Sequence, residues 1–221
     1  MLRINRPPNL HHPAWDDALS AADEAVAGRN LYGFHATRLT PNERGNVRKS
    51  GLHVLSEMLL LDRLATLRST GELSNALAIR LSSRHQARES NRAGKLWFSF
   101  RRNVLQDEAS IDRLFRSWGG EALYNLHEDN AETGPVLTAV GQPCIVVAAV
   151  PADGLETFMT TGERLLNIWC DARGIKTEHD SGFEGYTRSD IPPAQIMRII
   201  SFDDPEFLAL TSHADWREVL S

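Results

Sequence analysis

At 221 residues the chain fits one domain, since a single core rarely grows past roughly 250 residues. Its 42% hydrophobic and 24% charged content is ordinary for a globular protein, and its longest apolar run, residues 144–150, is far too short to cross a bilayer. The net charge of −5 argues against a wholly basic nucleic-acid binder, but residues 80–102 carry seven Lys/Arg against Glu89 alone. No basic leader with an apolar core opens the sequence, so a cytoplasmic location is expected. The two cysteines, Cys144 and Cys170, sit in apolar or amphipathic stretches and read as buried thiols.

In chain order, residues 1–12 are polar, with Pro7-Pro8 and His11-His12, and read as an arm before a single domain over 13–221. Trp15, Leu19, Ala22 and Val26 fall at helical spacing and end near Gly28. Residues 31–39 form a strand. Residues 40–50 form a helix with a Thr40/Glu43 capping box, Pro41 at the first helical position and Gly51 at the left-handed stop. A helix follows over 55–68. Residues 74–92 can form a longer one, with Leu77 and Leu81 on one side and Arg80, Arg84, Arg88 and Arg92 along another face. Residues 95–101 read as a strand buried on both faces. Asp107 can cap a helix through Ile111, Leu114, Phe115 and Trp118 that stops at Gly119-Gly120, while 124–130 is ambiguous. Residues 136–140 and 144–150 read as strands joined by a Gly141-Gln142-Pro143 turn. Thr160 and Glu163 form a second capping box and open a helix to Gly174. Late strands at 183–188 and 195–202 flank Pro192-Pro193, and Asp204-Pro205 starts a short helix before a last one. Helices early and strands late indicate an α+β fold.

The segment Phe34-His35-Ala36-Thr37-Arg38-Leu39 and the capped helix behind it are the most informative stretch. His35 and Thr37 point to one side of a strand, beside a helix N-terminus that favours phosphates. This strand with His-x-Thr, followed by a helix and Gly51-Leu52, resembles the first NAD-binding motif of the ADP-ribosyltransferase-like superfamily. That group includes the diphtheria-toxin and poly-ADP-ribose type enzymes, the DNA-modifying toxins and the RNA 2'-phosphotransferases. Gly94-Lys95-Leu96-Trp97-Phe98-Ser99-Phe100 is similar to their central aromatic strand. Gly182-Phe183-Glu184-Gly185-Tyr186 is similar to the late strand that carries the catalytic acid.

The resemblance implies small split β-sheets surrounded by helices, NAD as substrate, and a macromolecular acceptor. By the same resemblance, His35 holds the ribose and amide side of NAD, supported by Thr37 with Ala36 and Arg38 in the same motif. Glu184 bonds the 2'-hydroxyl and stabilises an oxocarbenium ion. Trp97 or Phe98, with Ser99 in the same motif, walls the nicotinamide, and Tyr186 offers a second aromatic face. Two departures stand out. The middle strand has Trp97-Phe98-Ser99 where many members with a leading His carry tyrosine, and the Arg, Ser-Thr-Ser, Glu-x-Glu set is missing.

The residues also admit plainer roles. His35 can be structural, Arg38 a surface charge or a phosphate clamp, and Trp97 and Phe98 core. The glycines beside Glu184 permit close approach of a ligand, or mark an exposed turn. Glu121, after Gly119-Gly120, is the substitute acid. No metal is expected, because the histidines show no His-x-x-x-His and the cysteines no Cys-x-x-Cys. A competing function is a non-catalytic nucleic-acid or protein-binding domain acting through residues 80–102, in particular Arg80, Arg84, Arg88 and Arg92.

Overall fold

The computed structural model describes residues 12–106, 111–177 and 182–212. Most of the expected N-terminal arm, the Asp107 cap and the last helix lie outside the described residues. Six strands build the sheet: β1 (Asn30–Leu39), β2 (Leu96–Ser99), β3 (Gln142–Pro151), β4 (Glu156–Thr157), β5 (Glu184–Thr187) and β6 (Ile196–Ser201). Their order is β4-β5-β2-β1-β3-β6, and every neighbouring pair is antiparallel. The α+β class is therefore as the sequence indicates.

β3 lies inside the sheet and is covered on both faces, which explains why its sequence is a continuous apolar run. Ile145 and Val147 pack with Ala36, Ile200, Phe115 of α5 (Ile111–Arg116) and Phe207 of α9 (Pro205–Thr211). Cys144, Val146, Ala148 and Val150 face the other way, against Leu96, Phe98 and Val47 of α2 (Pro41–Ser50). A third cluster joins α3 (Glu57–Ser69), α4 (Asn75–Ser83) and α7 (Gly134–Ala139) around Leu60, Leu64, Leu81, Leu137 and the fully buried Trp118. Helices α1 (His12–Val26) and α8 (Thr161–Asp171) pack on each other, tied where the Gly162 amide donates to Asp23 at 2.7 Å. Both cysteines are buried free thiols.

The sheet differs from the expected pair of small sheets. It is continuous, yet its two halves meet through one registered pair, Phe34 opposite Ser99, whereas all ten residues of β1 pair with β3. Four further expectations are corrected. Residues 136–139 are helical and Val140 caps the helix, because Pro135 starts a turn of helix and Leu137 and Val140 bury among helices; a short apolar run does not reveal its own period. Gln142 and Pro143 belong to β3 rather than to a hairpin turn. The long arginine helix ends at Ser83, where Arg84 turns extended and His127 Nε2–H donates to its carbonyl at 2.7 Å. On the middle strand, Trp97 is 47% exposed, so β2 is not buried on both faces.

Two buried charges fasten the helices to the sheet. The Arg38 guanidinium donates to the carbonyls of Val140 (2.7 Å), Phe115 (3.1 Å) and Thr138. These carbonyls lie at the C-terminal ends of α7 and α5, where a cation offsets the helix dipole and fills otherwise orphaned acceptors. Glu43 closes the capping box by accepting the Thr40 amide at 2.8 Å, and it also accepts Arg63 Nε at 2.6 Å and Trp118 Nε1 at 3.0 Å. Burial alone would raise its pKa, but Arg63, the Thr40 amide and Trp118 outweigh burial and hold it below the ordinary carboxyl value.

Gly51 has φ 86° and ψ −162°, a positive φ outside the left-handed helical region that a helix stop would give. A Cβ there would lie 1.9 Å from the Ile191 carbonyl oxygen, across the two hydrogen bonds that join Leu52 to Ile191. Gly51→Ala should therefore destabilise the protein by more than about 1 kcal/mol in chemical denaturation. Glu43 gives a pH test. Its depressed folded pKa contributes stability that is complete above the unfolded value and is lost as pH falls through the folded one. Denaturation midpoints should fall below about pH 4.5 in the natural chain, while Glu43→Gln, less stable at neutral pH, should show a flatter acid limb.

Candidate functional site

The three segments that carry the resemblance are far apart in the chain and occupy adjacent strands β1, β2 and β5. At the junction of β1 and β2 the ladder stops after Phe34 and Ser99. Beyond that pair, residues 35–39 of β1 keep β3 on one side and have no registered strand partner on the other among the described residues. His35 closes the gap at its narrow end: its Nδ1 lies 2.9 Å from the Trp97 carbonyl, and its ring centroid is 5.8 Å from that of Phe98. A carbonyl only accepts, so Nδ1 carries the proton and Nε2 of the neutral ring is an acceptor. Burial lowers the pKa of His35; the bond to Trp97 opposes this, and the positive charge of Arg63 adds to it. The imidazole is thus held neutral near pH 7.

Paired residues in an antiparallel ladder point to the same side. The register therefore groups Trp97 with Tyr186 and Ser99 with Glu184 on one face, and the alternation of β1 sets His35 and Thr37 on the other, with Phe98. Glu184 is exposed, and Ser99 Oγ donates to its Oε1 at 3.4 Å. β5 lies two strands from β1, a separation of about 10 Å at ordinary strand spacing. His35 and Glu184 can therefore meet one extended ligand only at the open edge between the two half-sheets, not on a single face.

The rings of Trp97 and Tyr186 meet at a tilt of 52° with centroids 4.7 Å apart, and Lys95 Nζ lies 4.5 Å over Tyr186. Tyr186 donates its hydroxyl to Glu156, whose Oε1 also accepts Arg188 Nε at 2.5 Å. Arg188 and Tyr186 lower the pKa of Glu156, and Glu156 raises that of Tyr186, which keeps the phenol protonated.

Several candidates have structural duties instead. Arg38 is neither a surface charge nor a phosphate clamp, because its guanidinium is committed to three carbonyls. The Ala36 side chain and Phe98, 2% exposed, belong to the core, so Ala36 can contribute only backbone groups and Trp97 is the aromatic left at the edge. The space above Gly185 is filled by β4: a Cβ there would meet Thr157 Cγ2 at 2.7 Å, so this glycine admits the protein's own strand rather than a ligand. The α2 N-terminus is likewise occupied, by the carboxylate of Glu43. Glu121 pairs with Arg92 at 3.2 Å, away from the three strands. A cavity of about 350 Å³, lined by Asp153, Glu156, Arg188 and Asp190, opens past the other end of β5.

The arginine stripe is also corrected. Arg80 lies on α4 and pairs with Glu132, but Arg84, Arg88 and Arg92 lie beyond the helix end, with Arg88 bonded to Glu57 at 2.5 Å and Arg92 to Glu89. No group of three or more His, Cys, Asp or Glu among the described residues could hold a metal ion. No described helix is long and apolar enough to cross a membrane. Sequence reasoning missed Arg63, which lies on α3 with no motif around it and reaches Glu43 only through the fold.

No protein-family model, curated protein or solved structure matches this chain.

The geometry gives His35 a structural role, since it links the two half-sheets. His35→Ala should cost about 1 kcal/mol of stability from the lost hydrogen bond, measured by denaturation, besides any effect on activity. Glu184→Gln, at an exposed position, should leave stability within about 0.5 kcal/mol.

Proposed function

We propose that the chain is an ADP-ribosyltransferase that binds NAD and transfers its ADP-ribosyl group to a macromolecular acceptor. The observation that carries this reading is the adjacency of β1, β2 and β5, which brings the segments of His35, of Trp97 and Ser99, and of Glu184 and Tyr186 onto neighbouring strands. An unpaired strand edge presents backbone N–H and C=O groups in alternation. Such an edge suits a planar carboxamide, and residues 35–37 offer it beside an exposed tryptophan. The neutral ring of His35 offers Nε2 as an acceptor for a ribose hydroxyl. Glu184 supplies a carboxylate two strands away, for the other hydroxyl and for positive charge that develops as the bond from ribose to nicotinamide breaks. Ser99 orients that carboxylate through its hydroxyl. In this role Thr37 supports the His35 side of the ligand.

Glu184 is exposed, so a charge there is not desolvated by the protein. The acceptor would approach from the solvent side of Glu184, where the Trp97–Tyr186 pair stands. A binding domain acting through residues 80–102 is the competing reading, and it has less support now that Arg80, Arg84, Arg88 and Arg92 do not share a helical face.

The test is incubation with labelled NAD, alone and with cell lysate. Label transfer or nicotinamide release is expected, falling at least about a hundredfold in Glu184→Gln and in His35→Ala. The absence of both NAD binding and turnover would overturn the reading. Turnover should also decline as pH falls through the His35 pKa, at a midpoint below the ordinary 6.5, because protonation removes the Nε2 acceptor.

A further inference from the structure

One face of the sheet carries charges and rings in a fixed order. Lys95 precedes β2 and Arg188 follows β5, and the register then sets Trp97 opposite Tyr186 and Ser99 opposite Glu184. Two cations therefore stand at one end and two aromatic rings in the middle. The Glu184 carboxylate stands at the other end, two residues and about 7 Å further along the strand. Lys95 Nζ lies 4.5 Å from the Tyr186 centroid and 6.0 Å from that of Trp97, and the Arg188 guanidinium carbon lies 5.4 Å from Tyr186.

Tyr186 is enclosed by these neighbours, and its hydroxyl is bonded to Glu156. Trp97 is not enclosed, and nearly half of it meets water. A single exposed apolar side chain is ordinary, but this indole is held against Tyr186 and flanked by uncommitted donors. Arg188 bonds Glu156 and Tyr186 through Nε and Nη2, which leaves Nη1 without a partner on a side chain 57% exposed. Lys95 makes no hydrogen bond or ion pair among the described residues. An apolar protein partner would have to bury both cations. An acidic peptide would satisfy them but bring no flat group to the indole. A nucleotide does both, because its base stacks on an aromatic ring while the phosphate meets Lys or Arg.

We infer that the Trp97 face binds single-stranded nucleic acid, with one base stacked on the indole and the adjoining phosphate at Lys95 Nζ and Arg188 Nη1. Glu184 repels phosphate from the far end and so sets the direction of the strand. The surface is separate from Arg80, Arg88 and Arg92, which pair with acids. That the strand is the acceptor rests on the transferase reading, since Glu184 shares the face; the binding itself does not.

The test is fluorescence anisotropy of labelled single-stranded RNA and DNA of about twelve nucleotides, at low salt and without NAD. Trp97→Ala should raise the dissociation constant roughly tenfold or more, the effect of one lost stacking contact, and Trp97→Phe should fall between. Lys95→Gln should weaken binding and make it less steeply dependent on salt. A duplex, whose bases already stack on each other, and poly-glutamate should both bind more weakly than the single strands. No binding of either strand, equal constants for the natural protein and Trp97→Ala, or equal binding of duplex or poly-glutamate would overturn the proposal. Should Trp97→Ala fail to fold, the natural protein still decides: added oligonucleotide should shift the Trp97 indole N–H resonance in NMR spectra, and an unchanged resonance overturns the site. The two readings fail separately. Strand binding that depends on Trp97, with no label passing from NAD to the strand, keeps the platform and removes its acceptor role. Label transfer to lysate protein without strand binding keeps the transferase and removes the platform.

Discussion

The junction between β1 and β2 sets the character of this molecule. One registered pair, Phe34 with Ser99, joins two half-sheets that are otherwise built separately, one on the long β1–β3 ladder and one on β2–β5. Continuing the ladder would have satisfied the β1 backbone and closed the edge. Instead the chain places a histidine at the point of divergence, and its Nδ1–H satisfies the Trp97 carbonyl that the missing partner leaves open. The same bond fixes the tautomer, so a structural constraint and a chemical property follow from one contact.

Behind this edge, two buried charges tie the helices to the sheet. Arg38 and Glu43 are five residues apart, at the end of β1 and in the first turn of α2, and both are buried. Arg38 binds the C-terminal carbonyls of α5 and α7; Glu43 binds Arg63 of α3 and the indole of Trp118. Every side-chain nitrogen of Arg38 and oxygen of Glu43 has a hydrogen-bond partner, which is the condition under which a buried charge is tolerable. The exit of β1 therefore anchors the helical cluster to the sheet. Glu43 also occupies the anion position at the helix N-terminus.

Local signals were legible where one short segment carries the whole message. The Thr40–Glu43 capping box, Pro41 and the apolar run of β3 identify their elements because caps and burial on both faces leave marks within a few residues. They misled where a neighbour decides. Residues 136–140 look like a strand until the helical cluster claims Leu137 and Val140. The arginine periodicity from Arg80 to Arg92 looks like one helix until Arg84 turns extended to meet His127. Arg38 looks like a surface cation because nothing near it in sequence announces three carbonyls contributed by residues 115, 138 and 140.

The sequence by itself determined the α+β class, most helix starts, the central strand, and the three segments from which the candidate site is drawn. These depend on periodicity and capping, which act over one or two turns of chain. Only the tertiary structure decided that β1, β2 and β5 are neighbours, that the ladder between the first two is one pair long, and that His35 and Glu184 point to opposite faces and share only an edge. Strand order and register come from which apolar faces bury each other across long stretches of chain, and that choice is made by the packed core as a whole.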